Sequence, residues 1–263
     1  MERVTWRAAF ATCAALLLLA PSQAPRSVII TAQPGDVVRI DGEAAVFGKT
    51  WKDLVGIDLE TKPGTYSMGA QAGSTILKVL PKEFPVRRLN VPPGFVTPPV
   101  EALAQIAEDN KKTSAIWARV TSRKWKGPFL LPVEGQPTSN FGTRSFFNGQ
   151  RRSPHTGVDF LSPAGTPIRA ANHGMVVLAE PLYFTGNTVI IDYGDGLYSL
   201  FAHLSELRAH KNDTVTPDMV VGLVGATGRV TGPHLHWAVR LQGAHVDPLS
   251  LVAASAAKAA LDK

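Results

Sequence analysis

The sequence predicts a mainly β protein in two parts, joined by a proline-rich linker and one helix. Three observations predict it. Among 263 residues there are 23 Gly and 20 Pro, a turn-rich composition that suits short strands better than a helix bundle. Short β-branched runs recur along the chain, each bounded by turn residues. The composition breaks at residues 92–99, where Pro92, Pro93, Gly94, Pro98 and Pro99 mark a linker. Hydrophobic residues make up 44% and charged residues 18%, enough for packed cores and too little charge for a disordered chain.

The elements follow in order. Arg3 and Arg7 precede an apolar run over residues 8–20 that is too short to span a bilayer as a helix. With the small-residue triplet Ser22-Gln23-Ala24 behind it, or Ala20-Pro21-Ser22 as the alternative, residues 1–24 read as a secretory signal peptide. Its removal would take Cys13, the single cysteine, and leave no segment able to span a membrane, so the mature protein is expected to be exported. One cysteine excludes a disulfide scaffold and any Cys-ligated metal site. The net charge of +6 comes without a Lys/Arg run of five or more, so nucleic acid is not expected as a partner.

Residues 25–92 read as an N-terminal Ig-like β-sandwich. Its candidate strands are 27–31, 37–41, 53–59, 64–70 and 75–80, with Pro34-Gly35 and Asp41-Gly42 as turns. Residues 93–124 hold the linker and a helix over 100–120. Leu103, Ile106, Ile116 and Trp117 share one side of that helix, which is expected to pack one domain against the other. Residues 125–250 carry strand candidates at 174–179, 188–192, 197–202, 220–224 and 235–240, with Asp195-Gly196 as a hairpin signal, and predict antiparallel sheets. The Ala-rich tail, residues 251–263, predicts a short helix.

All seven histidines lie beyond residue 150, and four have unusual surroundings. In Ser153-Pro-His155-Thr-Gly-Val-Asp159, Gly157 argues against helix, and in an extended chain positions four apart share a face. His155 and Asp159 can therefore converge on one ion. In Gly232-Pro-His234-Leu-His236-Trp, two imidazoles sit two apart on a predicted strand, with Leu235 facing the other way. Such a pair would repel if both rings were charged, which points to an ion or a substrate between them. His203 ends an apolar strand and is a candidate for proton transfer. A hydrolytic zinc site needs three protein ligands and an open position for water. His155, Asp159 and one of His234 and His236 supply three, and spacing alone does not say which. No carboxylate stands between them as in an HExxH site, so His203 and the unliganded histidine are the available bases.

At these residues the sequence resembles the lysostaphin-type zinc metallopeptidases, a family of peptidoglycan endopeptidases. The resemblance rests on short motifs in fixed order: Thr138-Ser-Asn-Phe-Gly-Thr-Arg144, His155-Thr-Gly-Val-Asp159, Gly165-Thr-Pro-Ile-Arg-Ala170, Ala202-His203-Leu-Ser205, Gly225-Ala-Thr-Gly-Arg-Val-Thr-Gly-Pro-His-Leu-His236 and Val246-Asp-Pro248. It implies a C-terminal antiparallel β barrel-like sandwich with one Zn2+ held by His155, Asp159 and His236. It also implies that His203 and His234 are the catalytic histidines. Peptidoglycan is the implied partner, the periplasm or cell envelope the implied location, and D-alanyl–diaminopimelate cross-links the implied substrate. Residues 25–92 resemble the β-sandwich domain found ahead of some Gram-negative members, through Val55-Gly-Ile-Asp-Leu59, Lys62-Pro-Gly-Thr-Tyr66 and Phe84-Pro-Val-Arg-Arg-Leu89. The chain departs from the family pattern at Thr216-Pro217-Asp218, at His210-Lys-Asn-Asp213 and at Trp237-Ala238, where Phe-Glu is common.

Arg144, Arg151 and Arg152 are candidates for binding stem-peptide carboxylates, against a reading as a solvated basic loop. Tyr183 and Phe184 are candidates for lining the groove, and His173, His210 and His245 read as surface or structural. Two other functions compete with a peptidase. One is a non-catalytic, wall-binding activator of other murein hydrolases. The other is a sugar-transport phosphocarrier, which the export signal opposes.

Overall fold

The computed structural model describes residues 28–70, 73–92, 96–138 and 140–256. The expected signal peptide and the end of the Ala-rich tail lie outside these residues. The N-terminal strands are β1 (Val28–Ala32), β2 (Val37–Val46), β3 (Lys49–Gly56), β4 (Gly64–Ala70), β5 (Gly73–Val79) and β6 (Val86–Leu89). The first five form one sheet in the order β1-β5-β4-β2-β3, with β1 and β5 parallel. The join between β4 and β2 is narrow, two residue pairs at Ala44 and Ala45. Trp51, Val55, Ile57, Met68 and Leu77 are buried. Asp41-Gly42 is not the expected turn. The backbone of β2 runs through it, and Gly42, at φ +75°, sits where the β2–β3 register shifts between Arg39 and Glu43. A left-handed glycine here makes a bulge inside a long strand, not its end.

Helix α1 spans Leu103–Trp117 after a 3-10 turn at Val100–Ala102. Its role differs from the expected one. Leu103 is exposed, and the helix packs through Ile116 and Trp117 onto Leu178, Leu182, Ile190 and Tyr198 of the C-terminal part. The Trp117 and Tyr198 rings meet edge to face at 5.5 Å, and Lys112 pairs with Glu180 at 2.7 Å. The helix is a wall of the C-terminal unit rather than a wedge between two units.

The C-terminal strands are β7 (Arg144–Phe147), β8 (Gln150–Arg151), β9 (Gly157–Phe160), β10 (Pro167–Arg169), β11 (Gly174–Leu182), β12 (Gly186–Gly194), β13 (Leu197–Leu207), β14 (Thr214–Val215), β15 (Val220–Val224), β16 (Leu235–Leu241) and β17 (Ala244–Val246), followed by helix α2 (Pro248–Ala256). Nine of these strands make one sheet. Its main path is β10-β15-β13-β12-β11-β14, and β16 links β13 to β9 and β17. All its pairings are antiparallel. At the β12–β13 turn Asp195 and Gly196 have φ of +54° and +72°, as the sequence signal for a tight hairpin requires. Alternation sends Leu235, Trp237, Val239 and Leu241 of β16 into the core, each at most 2% exposed, and turns His236, Ala238 and Arg240 to the other face.

The two parts touch directly. Strand β6 pairs in parallel with β7, and the backbone of Gly56 lies close against Leu241 and Val246. Arg144 pairs with Glu60 at 2.6 Å, so this candidate for carboxylate binding is committed inside the protein. Asp58 accepts backbone N–H groups from Glu60 and His245, and its carboxylate lies 3.5 Å from the His245 ring. Burial alone would raise the Asp58 pKa, but these hydrogen bonds outweigh it and hold the group down at about 2. Stability from this contact is therefore fully present above the ordinary carboxylate pKa of about 4 and is lost as pH falls through about 2. In thermal unfolding, the advantage of wild type over Asp58→Asn is expected to be constant from pH 7 to 5 and to shrink between pH 4 and 2.

Candidate metal centre

The five candidate residues come from three segments that pairing in one sheet brings together. Strand β16 is flanked by β9 and β13, so His236 lies directly opposite Asp159 on one side and Ala202 on the other. His155 sits on the irregular approach to β9, tied by its N–H to the Thr143 carbonyl. The Asp159 Oδ1 lies 3.0 Å from His155 Nε2 and 2.8 Å from His236 Nδ1, and these two nitrogens are 3.0 Å apart. Among the described residues this is the one group of three or more His, Cys, Asp or Glu side chains able to hold a metal ion.

The chemistry of the donor set fits a cation. His155 Nδ1 lies 3.1 Å from the Asn140 carbonyl, which only accepts, so Nδ1 carries a proton and the neutral ring would present its lone pair at Nε2 to the cluster. Burial pushes the pKa of His236 down, favouring the neutral imidazole that a metal needs. Burial of Asp159 opposes its charge, but the His155 and His236 rings beside it hold its pKa far below the usual carboxylate range. Three potential ligand atoms thus face one point at separations of 2.8–3.0 Å. A tetrahedral zinc with bonds of about 2.0–2.1 Å would set its ligand atoms roughly 3.3 Å apart, a small relaxation away.

His203 and His234 stand beside this group. Their ring centroids are 4.8 Å apart, and His203 is 6.0 Å from His236. His234 precedes β16, bridged to Gly225, with Nε2 at 4.0 Å from Asp159 Oδ1. His203 does not end a strand as the sequence suggested. It lies within β13 where pairing passes from β16 to β15, and its φ of +67° is left-handed. That conformation costs about 1–3 kcal/mol for a non-glycine residue, and the flanking ladders over-determine it. The Nδ1–H of His203 is donated to the Thr227 carbonyl at 3.0 Å, and that of His234 to the Gly232 carbonyl at 2.9 Å. With Nδ1 so engaged, the neutral form of either ring has its lone pair at Nε2. Burial and the neighbouring His236 push the His203 pKa down to about 4, so this ring is neutral at pH 7.

Residues 153–248 match the family described as Peptidase family M23. A crystal structure from Pseudomonas aeruginosa, assigned to peptidase M23, is 32% identical, with 84% of this chain and 95% of that chain covered at a TM-score of 0.63. The chain belongs to peptidase family M23. Among curated relatives, the peptidoglycan DD-endopeptidase ShyA of Vibrio cholerae is 37% identical over 113 residues, 43% of this chain and 26% of that protein. The DD-carboxypeptidase/endopeptidase Mpg of Neisseria meningitidis is 41% identical over 97 residues, 37% of this chain and 22% of that protein. The M23 chain thus matches about a quarter of the length of these relatives.

Several parts of this M23 site escaped the sequence reading. The carbonyls of Asn140, Thr227 and Gly232 that fix three ring orientations leave no side-chain signature. Gly157 was read only as a helix breaker, but it faces Ala238 across the β9–β16 pair. A Cβ there would meet the Trp237 carbonyl at 2.4 Å and His236 Cε1 at 2.8 Å. Gly157→Ala is therefore expected to push β9 off β16 and part Asp159 from His236. Metal affinity measured by titration should fall about 10–100-fold, and thermal unfolding should show a loss of about 1–3 kcal/mol. A cleft of ≈ 210 Å³ also opens beside His236, between the outward face of β16 and helix α1. Phe184 lines it, as one of the two groove candidates, while Tyr183 is tied by its backbone N–H to Asp109 of the helix. Arg152 is bonded to the Val96 carbonyl and Arg151 is exposed on β8. Of the remaining histidines, His210 is exposed, His173 is partly buried and His245 joins the two parts of the chain.

Proposed function

We propose that this M23 chain is a zinc metalloendopeptidase that hydrolyses peptide bonds in peptidoglycan stem peptides or cross-links. His155, Asp159 and His236 hold the ion, and His203 and His234 are catalytic. The observation that carries the proposal is the three-donor cluster with two further imidazoles beside it, both with Nδ1 tied to a carbonyl. The similarity to relatives named as peptidoglycan endopeptidases supports the substrate class. It also supports an exported, periplasmic location, in line with a signal peptide at residues 1–24.

Zinc bound there supplies the Lewis acidity that makes water acidic near neutral pH and polarises a carbonyl. The chain's own groups do the rest. His203 and His234 each present Nε2 as an acceptor, and whichever takes the proton of the attacking water becomes a donor in the same step. That N–H can then meet the negative charge growing on the carbonyl oxygen, or pass the proton to the leaving amine. The carbonyl partners at Nδ1 keep both rings from turning away.

The purified full-length protein is expected to contain about one zinc per chain and to release muropeptides from sacculi. Chelation should stop release, and added zinc should restore it. Mass spectrometry of the products should show cuts at D-alanyl–diaminopimelate cross-links. Zinc-loaded protein that binds sacculi and frees no peptide would overturn the proposal in favour of a non-catalytic wall-binding role.

A further inference from the structure

The cleft beside His236 has a floor and a wall of different origin. Its floor is the outward face of β16, where His236, Ala238 and Arg240 succeed one another. Its wall is helix α1, through Asn110 and Trp117 among others. Arg240 stands four residues from His236 along a strand, roughly 13 Å at about 3.3 Å per residue. The arginine is half-buried, and burial opposes its charge. A guanidinium nevertheless stays protonated, with five N–H donors in a planar fork. Arg240 spends one of them on the Gly243 carbonyl at 3.3 Å and rests its face on the Trp117 ring at 5.3 Å. Arg123 and Arg144 each have a carboxylate at 2.6 Å, whereas no ion pair to Arg240 exists among the described residues. The nearby Asp58 is engaged with His245 and with backbone N–H groups. A half-buried guanidinium with no carboxylate in ion-pair contact among the described residues stands at the end of a cleft that begins at the candidate metal centre, and the carboxylate that lines the cleft, Asp109, accepts the Tyr183 N–H; the arginine is therefore open to an anionic ligand arriving along that cleft.

We propose that one arm of an extended peptide substrate lies in the cleft between β16 and α1, and that Arg240 binds a carboxylate on that arm. The carboxylate stands roughly two to four residues from the scissile bond, the span set by strand spacing and the reach of the arginine. This inference rests on the proposed peptidase reading and adds a specificity residue and a charge requirement to it. It also gives the linker helix a function, since α1 closes one side of the subsite.

The test uses a cross-linked dimer of stem peptides with its free carboxylates intact, and the same dimer with those carboxylates converted to carboxamides. Each is made in cleavable form and as an uncleavable, fluorescently labelled isostere. Zinc-loaded full-length wild type is expected to bind the acid form about 10–100-fold more tightly, the range for hydrogen bonds to a charged group. The same preference should appear in kcat/KM, carried by KM. Arg240→Gln should bring the ratio close to one and Arg240→Lys should leave an intermediate ratio, because an ammonium lacks the bidentate fork. Asn110→Trp, on the exposed side of the helix, should narrow the cleft and weaken binding of both forms alike. A wild type indifferent to amidation overturns the inference. So does an Arg240→Gln protein that keeps the preference with wild-type zinc content and Tm, or an Asn110→Trp protein that binds as wild type does. If neither dimer is cleaved but the acid preference exists and depends on Arg240, the peptidase reading fails and the subsite stands. If both are cleaved with no preference, the subsite alone fails.

Discussion

His236→Ala is expected to leave the purified protein with almost no bound zinc and to reduce muropeptide release by at least about a thousandfold, the scale of a lost catalytic constellation. The reason is geometric. His236 occupies the strand flanked by both β9 and β13, and its Nδ1 is within 3.0 Å of the two other donors. Removing it leaves His155 and Asp159 as a two-donor set, short of the three protein ligands of a hydrolytic zinc site. It also leaves a void beside Gly157, where the ring edge had packed. Metal analysis after dialysis and sacculus digestion check the two halves of the expectation separately. A His236→Ala protein with full zinc and full activity would refute the ligand set.

His203→Asn is expected to behave differently, keeping zinc while kcat falls about 100–10,000-fold, the usual contribution of a positioned acid or base. Asparagine is the informative replacement because it tolerates the left-handed φ of +67° at this position, where most side chains are strained. The β13 crossover from β16 to β15 should therefore survive, and Tm should stay close to that of wild type. Near-normal zinc content with a collapsed kcat separates proton transfer from metal binding. If turnover persisted at more than about a tenth of wild type, His234 alone would account for the proton chemistry.

The longer strands and the main hairpin were legible in the sequence, because period-two alternation and turn residues are local properties, whereas the short strands β6, β7, β8, β10, β14 and β17 were not. The strand candidates in the C-terminal part match β11, β12, β13, β15 and β16 to within a few residues, and the Asp195-Gly196 hairpin is present. The misreadings have local causes of their own. Asp41-Gly42 looks like a turn because a left-handed glycine serves equally well in a bulge. The helix ends three residues early, at Trp117. The apolar side of α1 told that the helix packs, but an amphipathic stripe carries no address for its partner.

The sequence by itself determined the donor chemistry. With one cysteine, at position 13, and every histidine beyond residue 150, any metal in the C-terminal part must be held by imidazole and carboxylate. The spacings at 155/159 and 234/236 marked where. What only the tertiary structure decided is the convergence: residues 77 and 81 apart in sequence lie within 3.0 Å because β9 and β16 pair in one register and no other. A one-residue slip would turn His236 into the core. The strained backbone that aims His203, and the placing of Arg240 opposite α1, likewise come from long-range pairing that no local pattern encodes.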